Sequence, residues 1–240
     1  MLGVNDVAIK QNDTQKVITN SQETVIRVEK VGSMSSIAKL IKRSIDIIGA
    51  LVGCIAVLFI TIGIAIAKII TREKGPIFYT QDRIGKNGKI FKIYKFRSMI
   101  ENSEEILEKH LEENEEARRE WQIKKKLTND PRITKIGKFI RKTSLDEMPQ
   151  AINVLKGDMS LVGPRPYLPR EKDEMGIYYN YIIKCKPGMT GFWQTSGRSN
   201  VSFQERLNMD LEYYRNESLK LDIKLLFKTI FVLVKSDGAV

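Results

Sequence analysis

From Ile47 to Ala67 the chain runs for 21 residues without a charge, dominated by Ile, Leu, Val and Ala. A helix of that length reaches about 30 Å, the thickness of a bilayer's hydrocarbon core. Soluble cores seldom hold apolar runs this long, so residues 47–67 are read as entering a membrane. Whether they cross it is a separate question. Lys39, Lys42 and Arg43 precede the run and Lys68, Arg72 and Lys74 follow it, whereas a simple span carries its basic excess on the cytoplasmic side alone. The balanced flanks predict a re-entrant helix that dips into one leaflet and returns to the same face. No proline lies in the run, so the bend is expected at Thr61–Gly63. Gly49 and Gly53 form a GxxxG pattern that lets another helix approach closely. A homodimer is a separate expectation among the partners.

The run divides the chain. Residues 1–37 are polar and lack a secretory signal's apolar core and cleavage pattern, so they are expected to be a weakly ordered tail. Residues 38–74 form the membrane-inserted helix, and residues 75–240 a domain of mixed α/β composition. In that domain Ile77–Tyr79 and Ile90–Phe96 are rich in β-branched and aromatic residues, with the turn signal Asn87-Gly88 between them, which predicts a β-hairpin. Residues 101–125 read as a solvated helix. Apolar residues recur at helical spacing between Ile133 and Lys142, and Lys220, Lys224 and Lys228 repeat every four residues at the C-terminus. Both stretches read as amphipathic helices suited to the headgroup layer. The predicted fold class is therefore α+β, mainly helical with a β-hairpin, anchored by one N-terminal apolar helix plus interfacial amphipathic helices.

Charge narrows the partners. The net charge is +11, and residues 101–120 alone contribute −6, so the rest of the chain carries +17. Such a balance points to anionic partners: nucleic acid, anionic lipid or phosphorylated substrates. No helix-turn-helix, zinc or RNA-recognition signature is present, which sets nucleic acid aside. Cys54 and Cys185 lie far apart, one of them inside the apolar run, which argues against a disulfide framework. His110 is the sole histidine and lies in the acidic stretch, where a solvated role suits it.

Chemistry concentrates in three segments. Thr143 to Gln150 places Asp146 and Glu147 side by side at what reads as a helix start. Ser144 with Glu147 is also a capping-box pattern, so adjacent acids alone leave two readings: a cap, or an aspartate that attacks phosphorus beside a carboxylate that holds Mg²⁺. Arg141 lies five residues upstream. Downstream, Arg165 sits between Pro164 and Pro166, which restrict the backbone on both sides, and a rigidly held guanidinium suits bidentate phosphate binding. Lys186 to Arg198 is a glycine-punctuated loop in which amides at Gly188 and Gly191 can cradle anionic oxygens, with Trp193 or Phe192 available to face a base or sugar.

These segments, with Ile90-Phe91-Lys92-Ile93-Tyr94-Lys95-Phe96-Arg97-Ser98-Met99 and Lys156 to Pro166, closely resemble the bacterial sugar transferase family over about residues 38–236. That family comprises monotopic polyprenyl-phosphate phosphoglycosyl transferases. The resemblance implies a bacterial cytoplasmic-membrane enzyme of the short form, with its active site on the cytosolic face. It implies transfer of a sugar 1-phosphate from a UDP-sugar to undecaprenyl phosphate, with release of UMP, in exopolysaccharide, capsule or glycoconjugate assembly. By resemblance Asp146 is the nucleophile, and Asp146 and Glu147 form the dyad that works with Mg²⁺. Lys95, Arg97, Arg141, Arg165 and Arg198 handle phosphate or nucleotide, and Gly188, Gly191, Trp193 and Gln194 belong to the substrate loop. The Ser-Pro break common in the family's membrane helix is replaced here by Phe59-Ile60-Thr61-Ile62-Gly63. A direct transfer without a covalent intermediate, and a membrane-tethered anion-binding protein, are the alternative readings.

Overall fold

A computed structural model describes residues 28, 30–124, 127–196 and 201–235. The long apolar segment forms helix α1 (Ser36–Thr71). The Ser35 hydroxyl starts it by accepting the Ala38 N–H, and Arg72, in the left-handed region at φ 55°, ends it. Asp46, Ala50, Val57 and Ile64 recur at helical spacing and are buried against the rest of the chain. Ile48, Leu51, Val52, Ile55, Leu58, Phe59, Ile62 and Ile66 are exposed. The helix therefore presents one apolar edge to the domain and another outward along its whole length.

One expectation changes here and another is met. The break foreseen at Thr61–Gly63 is not found: α1 continues through it, with the Thr61 hydroxyl bonded to the Val57 carbonyl at 2.7 Å and no proline to remove a backbone donor. The GxxxG pair does admit a helix at close range, and that helix is the one of the same chain that begins at Gln150. A Cβ at Gly49 would stand 2.6 Å from the Leu161 side chain, and one at Gly53 would stand 2.9 Å from Ala151. As for the tail, residues 1–27 and 29 lie outside the described ones. Residues 31 and 32 donate to the Arg215 carbonyl at 3.1 and 2.8 Å, so the stretch just before α1 is docked rather than loose.

The hairpin forms as foreseen, with a longer first strand. β1 (Phe78–Ile84) pairs antiparallel with β2 (Ile90–Phe96), in register Tyr79↔Lys95, Gln81↔Ile93 and Arg83↔Phe91. Asn87 and Gly88 supply the positive φ angles of the turn, 58° and 79°. The acidic stretch is two helices, α2 (Ser103–Glu113) and α3 (Glu115–Lys124), rather than one. Asn114 divides them by accepting the Ala117 N–H on its side chain, as an N-cap does. Next come α4 (Lys135–Lys142) and α5 (Gln150–Lys156), then β3 (Ser160–Val162). Short helices α6 (Lys172–Met175) and α7 (Tyr179–Ile182) lead to β4 (Gly188–Thr190), which pairs parallel with β3. Helices α8 (Phe192–Ser196), α9 (Phe203–Asn216) and α10 (Leu219–Lys235) complete the domain.

The core is built on α1. Ala50 packs with Phe91, Ile93, Val154 and Met159, and Val57 and Ile64 pack with Phe96 and Ile140. Polar contacts hold the N-terminal part of the helix. Lys42 Nζ lies 2.6 Å from Asp222 of α10 and also donates to the Val162 carbonyl, while Arg43 donates to the last carbonyls of α5, those of Val154 and Leu155. The buried Asp46 carboxylate accepts the Ser160 hydroxyl and the Leu161 N–H, both at 2.9 Å. Further along the chain, the Glu73 carboxylate accepts the Ile136 N–H at the start of α4. Outside, α10 exposes Phe227, Ile230 and Phe231.

The ion pair of Lys42 with Asp222 can be tested alone, since its side chains are only 15% and 5% exposed. Asp222→Ala leaves a shielded ammonium and the Tyr213 hydroxyl without their carboxylate, and the loss expected is about 3 kcal/mol by denaturant melt in detergent. Removing both charges, in Lys42→Met with Asp222→Leu, should recover most of that loss.

Candidate active site

Asp146 and Glu147 share one 3₁₀ turn, Leu145–Glu147, between α4 and α5. Tight packing sets its place. Gly137 in α4 sits so close to Ser98 that a Cβ would meet the Ser98 carbonyl at 2.0 Å, and Phe96, Ile140, Leu145 and Met148 pack in one cluster. The capping box does not form: Ser144 takes a left-handed backbone at φ 57° with no side-chain bond. Glu147 turns instead to Lys95 of β2, at 2.6 Å, while keeping 45% of its side chain exposed.

The two carboxylates are electrostatically unequal. Burial pushes the Asp146 carboxyl up and the adjacent Glu147 charge adds to this, while Lys95 and Arg141 pull it back, leaving it at about 6. For Glu147, burial also acts upward, but the Lys95 ion pair, with Arg165 and Arg83 beyond it, holds the group below the usual glutamate value. Glu147 is thus a fixed anion. Asp146 makes no ion pair among the described residues and titrates near neutrality.

Arg165 follows β3, and its backbone N–H donates to Asp210 of α9 at 3.1 Å. Asp210 is fully buried and also accepts the Tyr167 hydroxyl at 2.7 Å, so one carboxylate oxygen fixes both sides of Pro166. The Arg165 guanidinium stands 5.5 Å from the centre of the Trp193 ring, and Arg206 stands 5.6 Å from it. Trp193 Nε1 and Gln194 Oε1 are buried without partners among the described residues, polar atoms that a ligand in this loop would satisfy.

The sequence-predicted residues divide accordingly. Lys95, Arg141 and Arg165 converge on the dyad. Arg97 pairs with Glu101 at 3.4 Å, and Arg198 lies outside the described residues. Gly188 and Gly191 act by close backbone packing: a Cβ at either would stand 2.1 or 2.4 Å from Gly163 backbone atoms, and the Gly188 N–H is taken by the Pro164 carbonyl. The expected amide cradle is therefore not free at Gly188. Sequence reading missed Arg83, Arg206 and Asp210. For Arg83 a signal existed, the alternation of Gln81 and Arg83 on the hairpin face that also carries Lys95.

A profile of the bacterial sugar transferases matches residues 37–236, which covers the helix, the hairpin and every element of the site. The chain belongs to the bacterial sugar transferase family. It is 48% identical over 84% of its length to a UDP-galactose-lipid carrier transferase of Erwinia amylovora. It is 43% identical over 95% of its length to an undecaprenyl-phosphate galactose phosphotransferase of Salmonella typhimurium. It spans only 42% and 47% of those two proteins. By contrast, it matches 93% of the exopolysaccharide production protein ExoY of Rhizobium meliloti, at 41% identity over 88% of its own length.

In this sugar transferase an Asp146 carboxyl lifted to about 6 favours the neutral form in the fold. Its contribution to stability is present in full below the unfolded value near 4 and is lost as pH rises through 6. Asp146→Asn should therefore melt higher than the parent at pH 7.5, by roughly 3 kcal/mol, and the gain should shrink toward pH 5. A lower melting temperature at pH 7.5 would contradict the unpaired setting of this carboxylate.

Proposed function

We propose that this chain transfers a sugar 1-phosphate from a UDP-sugar to undecaprenyl phosphate through a covalent phosphosugar on Asp146. The observation that carries the reading is the unequal dyad. Glu147 is pinned as an anion by Lys95, whereas Asp146 keeps a carboxylate free of ion pairing among the described residues. A carboxylate oxygen of Asp146 attacks the β-phosphorus, the bond from that phosphorus to the bridging oxygen breaks, and UMP leaves with the electron pair. The lipid phosphate oxygen then attacks the same phosphorus, and the Asp146 carboxylate is released unchanged. Arg165, Arg141 and Lys95 supply the positive charge that phosphoryl transfer requires at its equatorial oxygens.

The donor set also suits Mg²⁺. Asp146 and Glu147 are hard oxygen donors, one Glu147 oxygen being held by Lys95, and Mg²⁺ binds through one or two carboxylates plus substrate phosphates. When bound it would neutralise charge on the diphosphate. The names of the two galactose-linked relatives put UDP-galactose first among donors to try.

The same reading places the domain on the cytosolic side of the bacterial membrane with the unbroken α1 lying in one leaflet. Its support is that the domain packs along α1 from Lys42 to Ile64, about 33 Å of helix, and bonds beyond both ends of the apolar run. A perpendicular span would drag that packed face into the bilayer. The outward apolar edge, with Phe227, Ile230 and Phe231 of α10, is the surface left for lipid.

Purified protein incubated with UDP-sugar alone should release UMP in a burst equal to the enzyme concentration, and Asp146→Asn should release none. UMP release that waits for the lipid acceptor would favour direct transfer. The acid limb of the donor half-reaction should report the ionisation of Asp146, with a midpoint at or below pH 6 because a bound cation favours the carboxylate. Lys95→Met removes a cation that lowers Asp146, so the limb should move to higher pH. For topology, single cysteines at Ser33 and Lys74, in a variant lacking Cys54 and Cys185, should both resist an impermeant thiol reagent in intact cells. Labelling at 33 and not at 74 would establish a straight span.

A further inference from the structure

We propose that Arg83 is a positioning residue that sets the separation between the carboxylate turn and the Arg165 turn, so that both meet one diphosphate. This rests on the function proposed above. Register puts Arg83 and Lys95 on the same face of the hairpin, since Tyr79 is opposite Lys95 and Arg83 opposite Phe91. Lys95 reaches the dyad turn through Glu147. Arg83 reaches the other turn: its Nη1 donates to the Pro166 carbonyl at 2.9 Å. Beside it, the Ile84 N–H donates to the Tyr167 carbonyl at 2.8 Å. One rigid two-stranded frame is thereby tied to both halves of the site.

Arg83 is itself immobilised. It is only 8% exposed, its Nη2 is fixed by Gln81 Oε1 at 2.7 Å, and its Nε is buried without a partner among the described residues. Burial and the nearby Arg165 charge lower it to about 10, with Glu171 and Glu147 acting the other way. A cation kept in so unfavourable a place, against another cation, needs a reason beyond filling space. Lysine cannot replace it, because a point charge lacks the fork that bonds Gln81 and Pro166 at once.

The test is a double-mutant cycle on UMP release, with Arg83→Lys, Arg165→Lys and the double variant, each checked by melting temperature. If Arg83 acts through Arg165, Arg83→Lys should lower kcat about 10²-fold, the scale of a 1 Å misplacement. KM for the donor should change less. The double variant should then be no slower than Arg165→Lys alone. Losses that multiply, or an Arg83→Lys enzyme within twofold of the parent, would overturn the proposal. Should Arg83→Lys fail to fold, Gln81→Ala frees the same guanidinium and should show the same dependence on Arg165 at about tenfold. If the parent protein releases no UMP from any UDP-sugar, the function itself is refuted. Arg83 is then judged by calorimetric binding of UDP, where the same non-additive pattern upholds its role and additive losses refute it.

Discussion

Everything in this chain hangs on the inward edge of α1. A helix apolar on most of its circumference would normally be handed wholly to lipid or wholly to protein. Here a narrow strip, Lys42, Arg43, Asp46, Gly49, Ala50, Gly53, Val57 and Ile64, is matched to the domain, and the matching is of two kinds. Charged groups near the helix start bind carbonyls, a hydroxyl and a carboxylate that are themselves shielded. Small residues further on admit Leu161 and Ala151 to close range. Without this strip the hairpin, α5 and β3 would lose the surface on which they meet.

The site inherits its geometry from that arrangement. β2 lies across α1 through Phe91 and Ile93 and carries Lys95; α5 lies beside it and begins just after the dyad. Arg165 arrives from the other side, on a segment anchored from within by Asp210 and Tyr167. Charge then separates the roles of two chemically similar neighbours. One carboxylate is neutralised by an ion pair, and the other is left where burial makes its ionisation costly.

Much of this was legible in the residues. The uncharged run marked α1, Asn87-Gly88 marked the hairpin, and the acidic pair among arginines marked the centre of the site. What was not legible depended on distant partners. β1 extends to Ile84, where Arg83 and the Ile84 N–H find the Pro166 and Tyr167 carbonyls across the chain, which a polar stretch does not announce. Ser144 and Glu147 fit a capping pattern locally, yet Lys95, 52 residues away, takes the glutamate. Gly188 and Gly191 fit a phosphate cradle, yet the backbone of Gly163 occupies the space beside them. In each case a tertiary contact outweighed a local preference worth only about 1 kcal/mol.

The docking of α1 also carries a consequence for the order of events during synthesis. The helix leaves the ribosome ahead of its partners: those of Asp46 follow 114 and 115 residues later, and the carboxylate that pairs with Lys42 follows 180 residues later. At about 5–20 residues per second, Lys42 waits on the order of 10–40 s for its carboxylate. During that interval the charged strip must stay hydrated, while the outward apolar edge is free to meet lipid where the proposed membrane placement puts it. On the proposed membrane placement, the lipid surface would hold α1 as a template until α10 arrives to close the domain over it.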